Sequence, residues 1–104
     1  MESQFVKKDK LLILKLTEDV DHHTAEKIRR TADNEITRYM PRKVVFDFNK
    51  VSFMDSSGIG MIIGRYKTAN MLGGTVEMTN VKPSIEKIFE MSGVLRIIPV
   101  VKSA

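Results

Sequence analysis

"KVVFDFNKVSFMDSSGIGM", residues 43–61, holds two different patterns on either side of a short polar turn. Lys43–Phe48 has the β-branched and aromatic content of a buried strand. From Ile59 onward the apolar residues recur as Ile59, Ile62, Ile63 and Tyr66, which is one stripe of a helix. That segment closes at Gly73-Gly74, where glycine takes up a left-handed cap. A strand thus passes through a serine-bearing loop, "DSSG", into a helix, the unit from which α/β folds are built.

The flanking sequence repeats the alternation. Gln4–Lys8 and Leu11–Leu16 read as two short strands parted by Lys-Asp-Lys, an antiparallel hairpin whose second run, "LLILKL", reads as central and buried. After "TEDVD", Ala25, Ile28, Ala32, Ile36 and Met40 fall at helical spacing, with Asp21 placed to cap the first turn and Pro41 to stop the helix. Downstream, "TVEMT" alternates with Val76 and Met78 on one face. Pro83 then stands at a first-turn position ahead of Ile85, Ile88 and Phe89, Gly93 closes the helix, and "RIIPVV" supplies a last strand. Strands separated by helices imply right-handed crossovers. The expected fold class is α/β: a mixed sheet, an initial hairpin plus parallel strands, with helices packed against it, residues 1–104 forming one domain.

Composition narrows the function classes. The chain has 104 residues, 42% hydrophobic and 29% charged, which is ordinary for a soluble globular domain. It has no apolar run of the ~20 residues that a membrane span needs. With no cysteine, disulfides, thiolate metal sites and thiol catalysis are excluded. The start, "MESQFVKKDK", lacks a signal peptide's apolar core, which points to the cytoplasm. The formal charge of +4 is spread over Lys7, Lys8 and Lys10, Arg29 and Arg30, and Arg42 and Lys43, with no interleaved aromatics for base stacking. That argues against nucleic acid as a partner.

In open α/β sheets, sites gather at the carboxyl ends of parallel strands. Two polar loops fall there, "TEDVDHH" and "MDSSG", and each leads into a helix N-terminus whose free N–H groups favour negative charge. The plainest role for Ser56 and Ser57 is that one caps the helix and the other occupies its first turn. The phosphate-loop pattern G-x-x-x-x-G-K-[ST] is absent, since Gly58, Gly60 and Gly64 are followed by Arg65, and G-x-G-x-x-G fails by one residue. A hydrolase elbow needs G-x-S-x-G, and neither Met54 nor Asp55 supplies the glycine. His22 and His23 could approach the serines if the loops are neighbours. As metal ligands they are poor, because adjacent helical positions diverge by about 100°. A serine that receives a phosphate from another protein also fits: at a helix N-terminus the phosphate gains N–H donors, while its charge of about −2 beside Asp55, Asp19 and Asp21 can repel or block a partner.

"LTEDVDHHTAEKI", "VSFMDSSGIGMIIGRYK" and "IFEMSGVLRIIPV" resemble, in order and across nearly the whole chain, the signatures of the anti-sigma factor antagonists of the STAS domain type. The likeness is strongest to the sporulation branch, whose members release sigma F. A general stress-response or other STAS phospho-switch with a different kinase is the alternative. The resemblance implies that Ser56 is the acceptor phosphorylated by an anti-sigma factor that is also an ATP-dependent serine kinase, with Ser57 a supporting residue. It implies further that the unphosphorylated chain binds that factor, chiefly as a dimer carrying ADP or ATP, and is released on phosphorylation. A metal-dependent serine phosphatase resets the cycle, and the chain itself, a monomer when free, catalyses nothing and needs no cofactor. By match to the family's docking surface the candidate contacts are Asp19, Asp21, His22, Ser56, Ser57, Gly58, Ile59, Met61 and Arg65. Ser57, Met61, Arg65 and Thr68 lie opposite the core stripe and are expected to be exposed. Two positions depart from the family: Glu18 stands where a glycine is common, and the sequence ends at Ala104 where relatives continue into a further helical stretch.

Overall fold

Five strands pair in the order of the chain. In the computed structural model, which describes residues 1–102, β1 (Glu2–Val6) lies antiparallel to β2 (Leu11–Lys15). β3 (Lys43–Asp47), β4 (Thr75–Thr79) and β5 (Val100–Val101) follow in parallel. The sequence end at Ala104 lies outside the described residues. Helices α1 (His22–Tyr39), α2 (Ser56–Met71) and α3 (Pro83–Ser92) form the crossovers. The mixed α/β sheet read from the sequence is therefore the observed fold.

Register explains the core. Leu12, Val44 and Val76 stand side by side across the three central strands, as do Leu14, Phe46 and Met78, and all six are buried. Their neighbours Ile13, Val45 and Glu77 form the next row, on the opposite face, and are only half-buried. The helices thus cover one face of the sheet, and β2 is central but buried on one side only. α1 packs on β2 and α2, and α2 packs on β4. An edge-to-face contact between Phe48 and Phe89, with ring centroids 5.4 Å apart, ties the end of β3 to α3.

Several boundaries differ from expectation. β1 starts at Glu2 and ends at Val6, because Lys7–Asp9 turn as a 3₁₀ segment and Lys10 takes φ 50° to reverse the chain. Met40 is not on the α1 core stripe; it is the left-handed cap residue, φ 47°, and is exposed. "RIIPVV" is not one strand: Val94–Arg96 form a 3₁₀ turn after Gly93, whose φ of 81° ends α3, and only Val100 and Val101 pair. Pro99 has no N–H to donate, and its carbonyl instead accepts from Met78 N.

Candidate functional site

The two loops at the carboxyl ends of β2 and β3 are joined along their backbones. Val20 N donates to the Phe53 carbonyl (3.0 Å) and Asp55 N to the Val20 carbonyl (3.1 Å), a one-residue parallel bridge of Val20 with Met54. Asp19 completes the join, its Oδ1 accepting from Ser52 N (2.7 Å) and Phe53 N (3.0 Å). Asp19, an expected partner contact, thus has a structural task as the clip that sets one loop against the other.

Each loop ends in a capped helix. Asp21 accepts from Thr24 N (2.9 Å) while Thr24 Oγ1 accepts from Asp21 N (2.9 Å), a reciprocal capping box. The Thr24 N–H bond is the main cause that holds the Asp21 carboxyl below its ordinary range. At α2 the cap is Asp55 and neither serine: its Oδ1 accepts from Ser57 N (2.9 Å) and Gly58 N (3.4 Å). Asp55 is the more natural cap because its backbone is extended, φ −101° and ψ −175°, while Ser56 and Ser57 already belong to the first turn. Both hydroxyls are thereby freed from capping.

The two serines then face different surroundings. Ser56 is exposed; Ser57 is half-buried, with its Oγ 3.4 Å from His22 Nδ1. Gly58 lies directly over Met54, where an added Cβ would come within 2.5 Å of Met54 Cγ, so glycine lets the helix start sit down on the loop. Ile59 is buried as expected.

Met61 and Arg65 are buried too, 6% and 8% exposed, against the expectation that they face solvent. The reason is that α1 lies along that side of α2, so two sides of the helix are covered. Arg65 Nε is 2.9 Å from Asp33 Oδ1 on α1, but the N–H is turned off the line to the oxygen, so the contact is an ion pair and not a hydrogen bond. Asp33 Oδ2 also receives Arg29 Nη1 at 3.4 Å. A cleft of about 200 Å³ opens beside this pair, walled by His22, Glu26 and Arg29 of α1 and Ser57, Gly60 and Arg65 of α2.

On its other side Ser56 borders an apolar groove of about 380 Å³ formed with Ile59 and with Ile88 and Met91 of α3. Met91 is 82% exposed and Phe53, in the serine loop, 53%. Ile88 and Met91 were not among the expected contacts. Their signal was faint: Met91 follows Ile88 by three positions, off the Ile85–Phe89 stripe that faces the core. Among the described residues no three His, Cys, Asp or Glu side chains gather as a metal site, and no helix is long and apolar enough to cross a membrane.

A mixed sheet covered on one face and carrying an exposed serine at a helix N-terminus, on two joined loops, defines the class of this α/β domain. The STAS domain profile matches residues 2–104, and the chain belongs to that family. It is 38% identical over 90 residues to an anti-sigma F factor antagonist of Paenibacillus polymyxa, covering 86% of this chain and 77% of the relative. The solved structure of the anti-sigma factor antagonist SpoIIAA in its unphosphorylated form superposes with a TM-score of 0.83 at 26% identity, over 99% of this chain and 87% of that one. The phosphorylated form of the Bacillus cell fate determinant SpoIIAA superposes with 0.74 at 26% identity, over 99% and 90%.

Proposed function

We propose that this chain is an anti-sigma factor antagonist switched by phosphorylation of Ser56. The observation that carries the reading is the difference between the two serines: Ser56 presents a free hydroxyl at the first turn of α2, whereas Ser57 leans on His22. A similar fold in both unphosphorylated and phosphorylated relatives supports it, since one fold then tolerates the charge. Unmodified, the chain, a single domain and monomeric when free, docks its joined loops and the Ser56 groove on an anti-sigma factor that is also a serine kinase, in its ADP- or ATP-bound dimer. This dislodges sigma F. Phosphate transfer from ATP to Ser56 Oγ leaves ADP and puts a charge of about −2 beside Asp55, which ends the complex. A metal-dependent serine phosphatase restores the hydroxyl in the cytoplasm. The chain supplies the acceptor and the surface and catalyses no step.

Pull-down from cytoplasm with ADP or ATP identifies the kinase, and mass spectrometry then places the phosphate. One phosphate is expected, on Ser56: Ser56→Ala abolishes labelling and Ser57→Ala leaves most of it. Phosphate on Ser57 or Thr24 overturns the assignment. Ser56→Asp should bind the partner at least tenfold more weakly with ADP present, about 1.4 kcal/mol, with circular dichroism unchanged. Capture of a kinase from a stress-response circuit would assign the chain to that branch instead.

A further inference from the structure

We propose that the cleft between α1 and α2 is an oxyanion subsite that takes a carboxylate side chain of the protein docked over Ser56. The identity of that protein rests on the antagonist reading; the chemistry rests on Arg65. Its Nε and Nη1 are closed off from solvent and make no hydrogen bond among the described residues. The ion pair it does form is with one oxygen of Asp33, a carboxylate already engaged by Arg29. A guanidinium carries five N–H donors and no acceptor, so most of its capacity is unused. Buried cations are ordinarily both paired and hydrogen-bonded, and this one lacks the second half. Burial pushes the Arg65 guanidinium below its ordinary pKa, with Asp33 opposing, which fits a cation short of partners.

The surroundings set the ligand. Arg65 borders an open cleft that Ser57 and His22 also line; where Nδ1 of His22 donates to Ser57 Oγ, the hydroxyl proton is left to donate to an oxygen in the cleft. Glu26, which could fill the place, is turned onto Arg29 and Arg30 instead. Nη2 is the guanidinium nitrogen that is not closed off, so a carboxylate meets the arginine there and completes the two-bond fork with Nη1 as Nη1 is uncovered. A single negative charge also suits the site better than phosphate, because Glu26 lines the cleft and Asp33 sits against Arg65, and both repel a dianion more strongly than a monoanion. The cleft shares α2's first turns with Ser56, so a partner covering the serine also covers its mouth.

The test uses the labelled full chain in solution. The Ser57 and Gly60 amides and the Arg65 Nε–H are followed by NMR through titrations with sodium acetate, sodium phosphate and sodium chloride at constant ionic strength. A saturable response to acetate, at least fivefold larger than to chloride, is expected. It should vanish in Arg65→Met and also in Gly60→Leu, where the added Cβ meets no atom and the rest of the side chain occupies the cleft that Gly60 lines while the arginine is kept. Gly60→Leu keeps the test valid if Arg65→Met fails to fold. No saturable acetate response overturns the subsite, and a stronger response to phosphate overturns the carboxylate. With the captured kinase, Gly60→Leu should weaken binding at least tenfold, and unchanged binding overturns the partner as the source of the carboxylate. Because the titration uses the chain alone, its failure leaves the Ser56 reading standing, and failure of Ser56 labelling leaves the titration result as it is.

Discussion

Asp19 and Asp55 do similar work three ångströms at a time: each presents one carboxylate oxygen to two successive backbone N–H groups. Hydrogen bonds to an ionised acceptor are the stronger kind, about 1.5–3 kcal/mol net, though exposure lets water replace part of that. Asp19→Ala should speed hydrogen exchange at Ser52 and Phe53 while leaving the strand amides protected; unchanged exchange there would mean the clip is unnecessary. Asp55→Ala should cost ~1 kcal/mol in urea unfolding, the usual value of a helix cap, and Asp55→Asn much less. None of this was visible in the sequence beyond the presence of two aspartates near two loops. "DSSG" offers three competent capping side chains in a row, and composition cannot say which one takes the extended backbone that a cap requires.

Among the elements, α2 concentrates the chain's tolerance and its intolerance in one helix. Gly64 meets open space, so Gly64→Ala should stabilise by up to ~1 kcal/mol through helix propensity alone. Gly58→Ala gains the same propensity but drives a methyl into buried Met54; with overpacking at roughly 1–3 kcal/mol, net destabilisation is expected. A Met54→Ala partner mutation should cost less in that background than alone, because the methyl occupies the space it vacates. Gly74→Ala should be worse than Gly58→Ala, since its Cβ would stand 2.6 Å from the Pro41 carbonyl oxygen, which belongs to backbone and cannot rotate away. Urea midpoints of the three single variants rank them directly. Periodicity located all three helices and the strand-loop-helix unit because those signals are local. It placed Met61 and Arg65 on the wrong side because a helix wheel separates core from rest and cannot show a neighbouring helix. The same limit hid Ile88 and Met91, which reach Ser56 only through tertiary packing, and it made β2 look buried on both faces.

At the scale of the molecule, charge and topology set how the protein responds to its surroundings. Arg29 and Arg30 hold the Glu26 carboxyl down to about 2 from 4.5, and Thr24 lowers Asp21. A carboxylate with a depressed folded pKa stabilises the fold above its unfolded value, and that contribution is lost as pH falls through the folded one. The urea midpoint should therefore decline between about pH 4.5 and 2, less steeply in Glu26→Gln and less steeply in high salt, because the pair is exposed. A midpoint independent of Glu26 over that window would show that solvent screens it fully.

The strand order has a consequence for biosynthesis. Because β1 to β5 stand in the sheet in the order in which they are translated, no later strand has to be inserted between two that have already paired. The chain can be laid down vectorially, each unit adding to an existing edge as it leaves the ribosome. The joined loops come together once β2 and β3 have paired and α2 is seated when β4 joins, whereas Ile88 and Met91 arrive with α3. A nascent chain would therefore display Ser56 before it finishes the apolar groove beside it.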